Sequence, residues 1–147
     1  MTKARKAVLE VLGTAERPLS ASEISSLVSH CCDPVTIYRT LHYLEDKGLA
    51  DSFVLHCTEH GTERYFTLLA PGEASFAHHH WFHCEHCHQF IDLGDCRIGT
   101  LVDAYQEELG IRVTGHTLYL TGVCPACSSV GGNGQEHDHR GHKSQSE

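Results

Sequence analysis

Two Cys-x-x-Cys pairs, Cys84-Glu-His-Cys87 and Cys124-Pro-Ala-Cys127, constrain this chain more than any other feature. Four thiolates in two close pairs meet the tetrahedral sulfur preference of structural zinc. The 36 residues between the pairs exceed the spacing of a simple zinc ribbon, so the ion is expected to staple the carboxyl-terminal strand back onto its own unit. Rival uses of the motif fit less well. Cys84-Glu-His-Cys87-His88 also matches a c-type haem attachment, which leaves the second pair unexplained. A redox dithiol is the plainer alternative. A zinc deaminase needs a His-x-Glu ahead of its paired cysteines, and the one in this chain, His83-Cys84-Glu85, overlaps the first pair itself.

At 147 residues the chain suits one ordinary domain or two small ones, and two small ones would have thin cores that a metal clip can support. No run of 18 apolar residues and no secretory leader is visible, so the expected compartment is the reducing cytoplasm, with no membrane partner. There, eight cysteines and 14 histidines suggest metal ligands rather than disulfides. The net charge of −8 opposes nucleic-acid binding until it is divided along the chain. Residues 1–50 hold six Lys/Arg against six Asp/Glu, whereas residues 51–127 hold three against ten. Only the first third can approach phosphate without a large electrostatic penalty.

That first third reads as three helices. Residues 2–13 carry an apolar face of Val8, Leu9 and Leu12. Ser20-Ala-Ser-Glu23 is a capping box, and Asp33-Pro34 supplies an N-cap and a proline at the first helical position. The third helix continues through Ile37, Leu41 and Leu44 until Gly48 stops it. Strands at Leu49–Leu55 and Arg64–Leu69, joined by a loop from Cys57 to Gly61, complete a winged helix-turn-helix. The expected fold is α+β: a winged-helix domain over residues 1–69, a hinge over 70–77, a small α/β metal-binding domain over 78–127, and a disordered His-containing tail over 128–147. Within the second domain, strands are expected at Trp81–Cys84 and Gln89–Leu93, a helix around Ile98–Leu109 ending at Gly110, and a strand over Ile111–Thr121 bulged near Gly115.

Histidines supply the second set of ligands. On an extended segment alternate residues share a face, so His78 and His80 point one way and His79 the other, giving room for two sites. His56, Cys57 and His60 in the wing could add ligands from the first domain, coupling metal occupancy to domain orientation. His56 by itself reads as an ordinary surface histidine. Cys96 reads as a small residue of the following helix, and Cys31-Cys32 as packing or a reactive pair.

Thr36-Ile-Tyr-Arg-Thr-Leu41, His78-His-His80, Cys84-x-x-Cys87, His116 and Gly122-Val-Cys-Pro-Ala-Cys127, in this order over residues 1 to about 127, resemble the ferric uptake regulator family. The resemblance implies a homodimeric repressor that binds palindromic double-stranded operator DNA when a regulatory metal is present. It also implies that Cys84, Cys87, Cys124 and Cys127 hold structural Zn2+. Tyr38 and Arg39 occupy recognition-helix positions, where Arg can address guanine O6 and N7 and Tyr a base methyl or phosphate. Thr36, Lys3, Arg5 and Lys6 suit phosphate contacts, and a surface ion pair with Glu45 or Asp46 is the competing use of Arg39.

His79 and Asp92 stand at sensor positions, but Trp81 replaces the next sensor histidine. In a second site His78, His80 and His116 match, with Gly99 in place of a helix carboxylate. The expected regulatory set is therefore His79, Asp92, Cys57 and His60, with the wing residues replacing lost ligands. Thiolate with imidazole favours zinc over iron or manganese as the second divalent ion, the pattern of a zinc uptake regulator. An iron-loaded peroxide sensor and a zinc storage or delivery protein are the alternatives. An enzyme is not expected: no nucleophile–base pair or phosphate loop is visible, and no small-molecule substrate beyond metal ions is implied.

Overall fold

The computed structural model describes residues 2–69 and 79–130. The expected hinge at 70–77, His78 and the tail beyond residue 130 lie outside the described residues. The elements run α1 (Lys3–Thr14), β1 (Leu19–Ser20), α2 (Ala21–Leu27), α3 (Pro34–Asp46), β2 (Ala50–Cys57), β3 (Gly61–Leu68), β4 (His79–Cys84), β5 (Phe90–Asp95), α4 (Gly99–Leu109), β6 (Tyr119–Gly122) and α5 (Pro125–Val130).

Local chemistry fixes the helix starts. Thr2 caps α1 by accepting the Arg5 N–H at 3.1 Å. At α2 the capping box is reciprocal: Ser20 Oγ accepts from Glu23 N at 3.1 Å, and Ser20 N donates to Glu23 Oε1 at 2.9 Å. Arg17 closes on the same carboxylate through both guanidinium nitrogens. Burial pushes the Glu23 carboxyl up, but the Arg17 guanidinium and the Ser20 N–H outweigh it and hold it below its ordinary value. Asp33 accepts the Thr36 N–H at 2.8 Å, with Pro34 opening α3. Val8 and Leu12 of α1, Ile24 of α2, and Ile37, Leu41 and Leu44 of α3 then bury together with Val28, Leu19 and Phe66.

β2 and β3 form an antiparallel hairpin from Ala50↔Leu68 to Cys57↔Gly61, and the short β1 pairs with the far edge of β3. The second sheet has the order β5-β4-β6, with β4 antiparallel to β5 and parallel to β6. Aromatic rings join the two sheets: Phe53 lies 5.6 Å from Tyr119 and Tyr65 lies 5.3 Å from Phe90, centroid to centroid. Such pairs contribute about 0.5–1.5 kcal/mol each beyond their burial. The architecture is thus α+β, a winged helix followed by a small mixed α/β unit. No described helix is long and apolar enough to cross a membrane.

The second unit departs from the sequence reading in three ways. Residues 111–118 carry no regular structure, and only Tyr119–Gly122 form a strand. A strand needs a partner ladder, and here only this last stretch meets one, on β4; the Val113 N–H is satisfied instead by Gln106 Oε1 at 2.9 Å. The bulge stands in β4 between His79 and Trp81, not near Gly115. The chain also stays ordered past Ser128, because α5 starts at Pro125 and Ser128 N donates to Cys124 O at 2.8 Å. That turn of helix brings Cys127 back toward Cys124.

Candidate metal centres and nucleic-acid interface

The four cysteines of the two pairs converge as one cluster, each offering a sulfur within 4.8 Å of the others. Cys84 ends β4 and Cys124 follows β6, so the parallel pairing Cys84↔Gly122 brings the two halves together. Cys87 Sγ lies 3.7 Å from Cys124 Sγ. Sulfurs at about 2.3 Å around a tetrahedral zinc stand about 3.8 Å apart, so the cluster fits that ion. Burial pushes the Cys84 thiol up, yet backbone N–H groups of Cys87, Cys124 and His86 aimed at its sulfur bring it down to about 6. Cys127 is pushed up to about 12 by burial and by the neighbouring sulfurs. The cluster therefore offers one thiolate readily and yields the remaining protons as a cation enters.

Two further groups of ligands stand apart from this one. In the first, His80, turned inward by the β4 bulge and only 7% exposed, places Nε2 at 3.2 Å from His116 Nε2. Cys96 Sγ approaches the same His116 nitrogen at 3.3 Å. Cys96 lies between β5 and α4 rather than within the helix, so its reading as a mere helix residue is corrected: it joins His80 and His116 in a group that could hold an ion. His78, expected with His80 and His116, is outside the described residues.

In the second group, Cys57 and His60 of the wing meet His88, just past the first cysteine pair. The expected quartet of His79, Asp92, Cys57 and His60 is thereby divided. Alternation along β4 turns His79 toward β5, where its Nδ1 meets Asp92 at 2.9 Å and its Nε2 meets Asp95 at 3.2 Å. The wing turn instead packs on the loop that holds Cys84 and Cys87. In the sequence His88 stands out only as the residue after Cys87, and nothing local joins it to the wing; that position was the available signal. His56 is taken up by Thr62 Oγ1 at 2.7 Å on the outer face of the hairpin.

The nucleic-acid side rests on α3. Thr36, Tyr38 and Arg39 are exposed along it, while Ile37, Thr40, Leu41 and Leu44 face the core. Arg39 makes no ion pair within 4 Å among the described residues, and Glu45 accepts from Ser52 Oγ instead. Lys3, Arg5, Thr36 and Arg39 line one groove, with Cys31 and Cys32 at its side. Arg5 is held there by its guanidinium stacked 3.6 Å over the Tyr43 ring, while Lys3 and Lys6 stay exposed.

Known proteins share this sequence pattern and fold. The family model described as "Ferric uptake regulator family" matches residues 1–121. The ferric uptake regulation protein of Neisseria meningitidis is 30% identical over 135 residues, which cover 89% of this chain and 88% of that protein. Among solved structures, holo XcZur is 25% identical with a TM-score of 0.62, covering 87% of this chain and 86% of that one. The Vibrio cholerae ferric uptake regulator is 27% identical with a TM-score of 0.59, covering 84% and 91%. The chain belongs to the ferric uptake regulator family, whose members are metal-dependent transcriptional regulators.

Proposed function

We propose that the chain is a homodimeric repressor that binds palindromic operator DNA when a second divalent ion, zinc, joins the structural one. The observation that carries this reading is the exposed face of α3, where Thr36, Tyr38 and Arg39 stand free of ion pairs among the described residues, close to Lys3, in a chain otherwise strongly acidic. An uncommitted Arg on an exposed helix next to phosphate-reaching groups suits major-groove readout. Three ligand groups built from thiolate and imidazole support zinc over iron or manganese.

The homodimer is supported by α4. It buries none of its side chains, leaving Leu101 52%, Tyr105 49% and Leu109 65% exposed at helical spacing, and Ile111 and Leu120 add to the same apolar supply. A second copy of the chain would cover such a face, and two α3 helices would then meet half-sites about one helical turn apart. Selection from a random duplex pool with the zinc-loaded protein tests the reading. Enrichment of a two-fold symmetric site is expected, and a Leu101→Glu, Leu109→Glu variant should sediment as a monomer and lose that site. Enrichment of no sequence, or of a single asymmetric half-site by a monomer, would contradict it.

A further inference from the structure

We propose that Cys57, His60 and His88 form a zinc-class metal site that clasps the wing to the Cys84–Cys87 loop, with Glu59 as the carboxylate that orients His88. Cys57 Sγ stands 3.7 Å from His60 Nδ1 and 3.6 Å from His88 Nδ1. Sulfur at about 2.3 Å and nitrogen at about 2.0–2.1 Å from a tetrahedral zinc are separated by about 3.6 Å. The two distances are thus edges of a coordination tetrahedron. The imidazole rings cross nearly at right angles, centroids 4.8 Å apart, so both nitrogens converge on one point near the sulfur rather than stacking.

The tautomer of His88 agrees. Its Nε2 lies 2.6 Å from Glu59 Oε1, so that nitrogen carries the proton and donates it to the carboxylate. Nδ1 then presents a lone pair to the space beside Cys57, as a ligand does. A carboxylate behind the distal nitrogen of a ligating histidine is the usual support of a metal site. The backbone carries a further sign. His88 is the one non-glycine residue with positive φ among the described residues, at 61°. This left-handed conformation costs a side chain that glycine would avoid, and it is what swings the imidazole onto the wing.

The site takes one ligand from the end of β2, one from the β2–β3 turn and one from the loop after β4, and its sulfur is buried with Cys57 8% exposed. A solvent molecule completes the tetrahedron. Occupancy fixes the wing against the structural zinc loop, and with it the direction of α3. That coupling to DNA rests on the repressor reading above; the metal site itself does not.

The test counts metal and uses no DNA, so its failure leaves the repressor reading standing. Co2+ is titrated into the full chain already holding its tightly bound zinc, in a Cys96→Ser background that silences the other thiol-bearing group. A thiolate-to-cobalt charge-transfer band is expected. Adding Cys57→Ser should abolish it, His88→Gly should weaken cobalt binding by tenfold or more, and Glu59→Gln should weaken it about 10- to 100-fold. His88→Gly relieves the left-handed strain, so its thermal midpoint should hold or rise, which separates lost metal from lost fold. An unchanged band after Cys57→Ser, or unchanged affinity after His88→Gly, overturns the site.

Discussion

Replacing Cys84 by Ser is expected to unfold the second unit while leaving the first intact. The reason lies in what each half buries. The first half has an aliphatic core of Val8, Ile24, Val28, Ile37, Leu41 and Leu44, each at most 1% exposed. Among described residues from 79 onward the buried set is Cys84, Cys124, His80 and His83, with no aliphatic side chain. A metal ion at the four cysteines would take the place of a hydrophobic core there, and structural zinc contributes on the order of 10 kcal/mol to folding in small metal domains. Cys84 is fully buried, ends β4 and accepts three backbone N–H groups, so Ser removes both the ligand and the anchor of that loop. Hydrogen exchange read by mass spectrometry should find the amides of Phe82 and Leu120 unprotected and those of Leu41 and Leu44 unchanged, with one zinc fewer per chain. Retained protection across β4 and β6 would mean that the cysteine cluster is not the core of this unit.

The second large effect is expected at Arg39. Loss of a bidentate arginine–guanine contact costs about 1–3 kcal/mol, or about 5- to 150-fold in affinity, at each half-site. A two-fold complex loses both. Arg39→Ala should therefore weaken operator binding by one to several orders of magnitude and flatten preference at the guanine it reads, as measured by fluorescence anisotropy on single-base operator variants. Because Arg39 is exposed and without an ion pair among the described residues, the thermal midpoint should hardly move. Lys6→Ala, by contrast, should weaken all sequences alike and lower the salt slope by about one per contact. Equal losses on all sequences for Arg39→Ala would assign it to the phosphates instead.

What could be read in the sequence follows the range of the forces involved. Helix starts were legible because a cap is a contact over three residues: Thr2 with Arg5, Ser20 with Glu23 and Asp33 with Thr36. The cysteine cluster was legible because its two halves are each short motifs of one residue type. The strand expected over Ile111–Thr121 failed where its apolar pattern had no partner ladder within the described chain. Cys96 and His88 were harder still. Their surroundings are set by partners 20 and 31 residues away, His116 and Cys57, which no short motif announces. The division of His79 and Asp92 from Cys57 and His60 has the same origin: alternation on β4 was predictable, but the loop on which the wing would land was not.

Sensing and structure can be separated by one titration. Operator affinity is measured against buffered free zinc while zinc per chain is counted in the same samples. With the first ion held at the four cysteines, affinity should stay low and then rise about 5- to 150-fold, the usual range of a coupling between two sites, as further zinc enters. Operator affinity that is already full at one zinc per chain, and flat beyond it, would contradict a metal-sensing repressor.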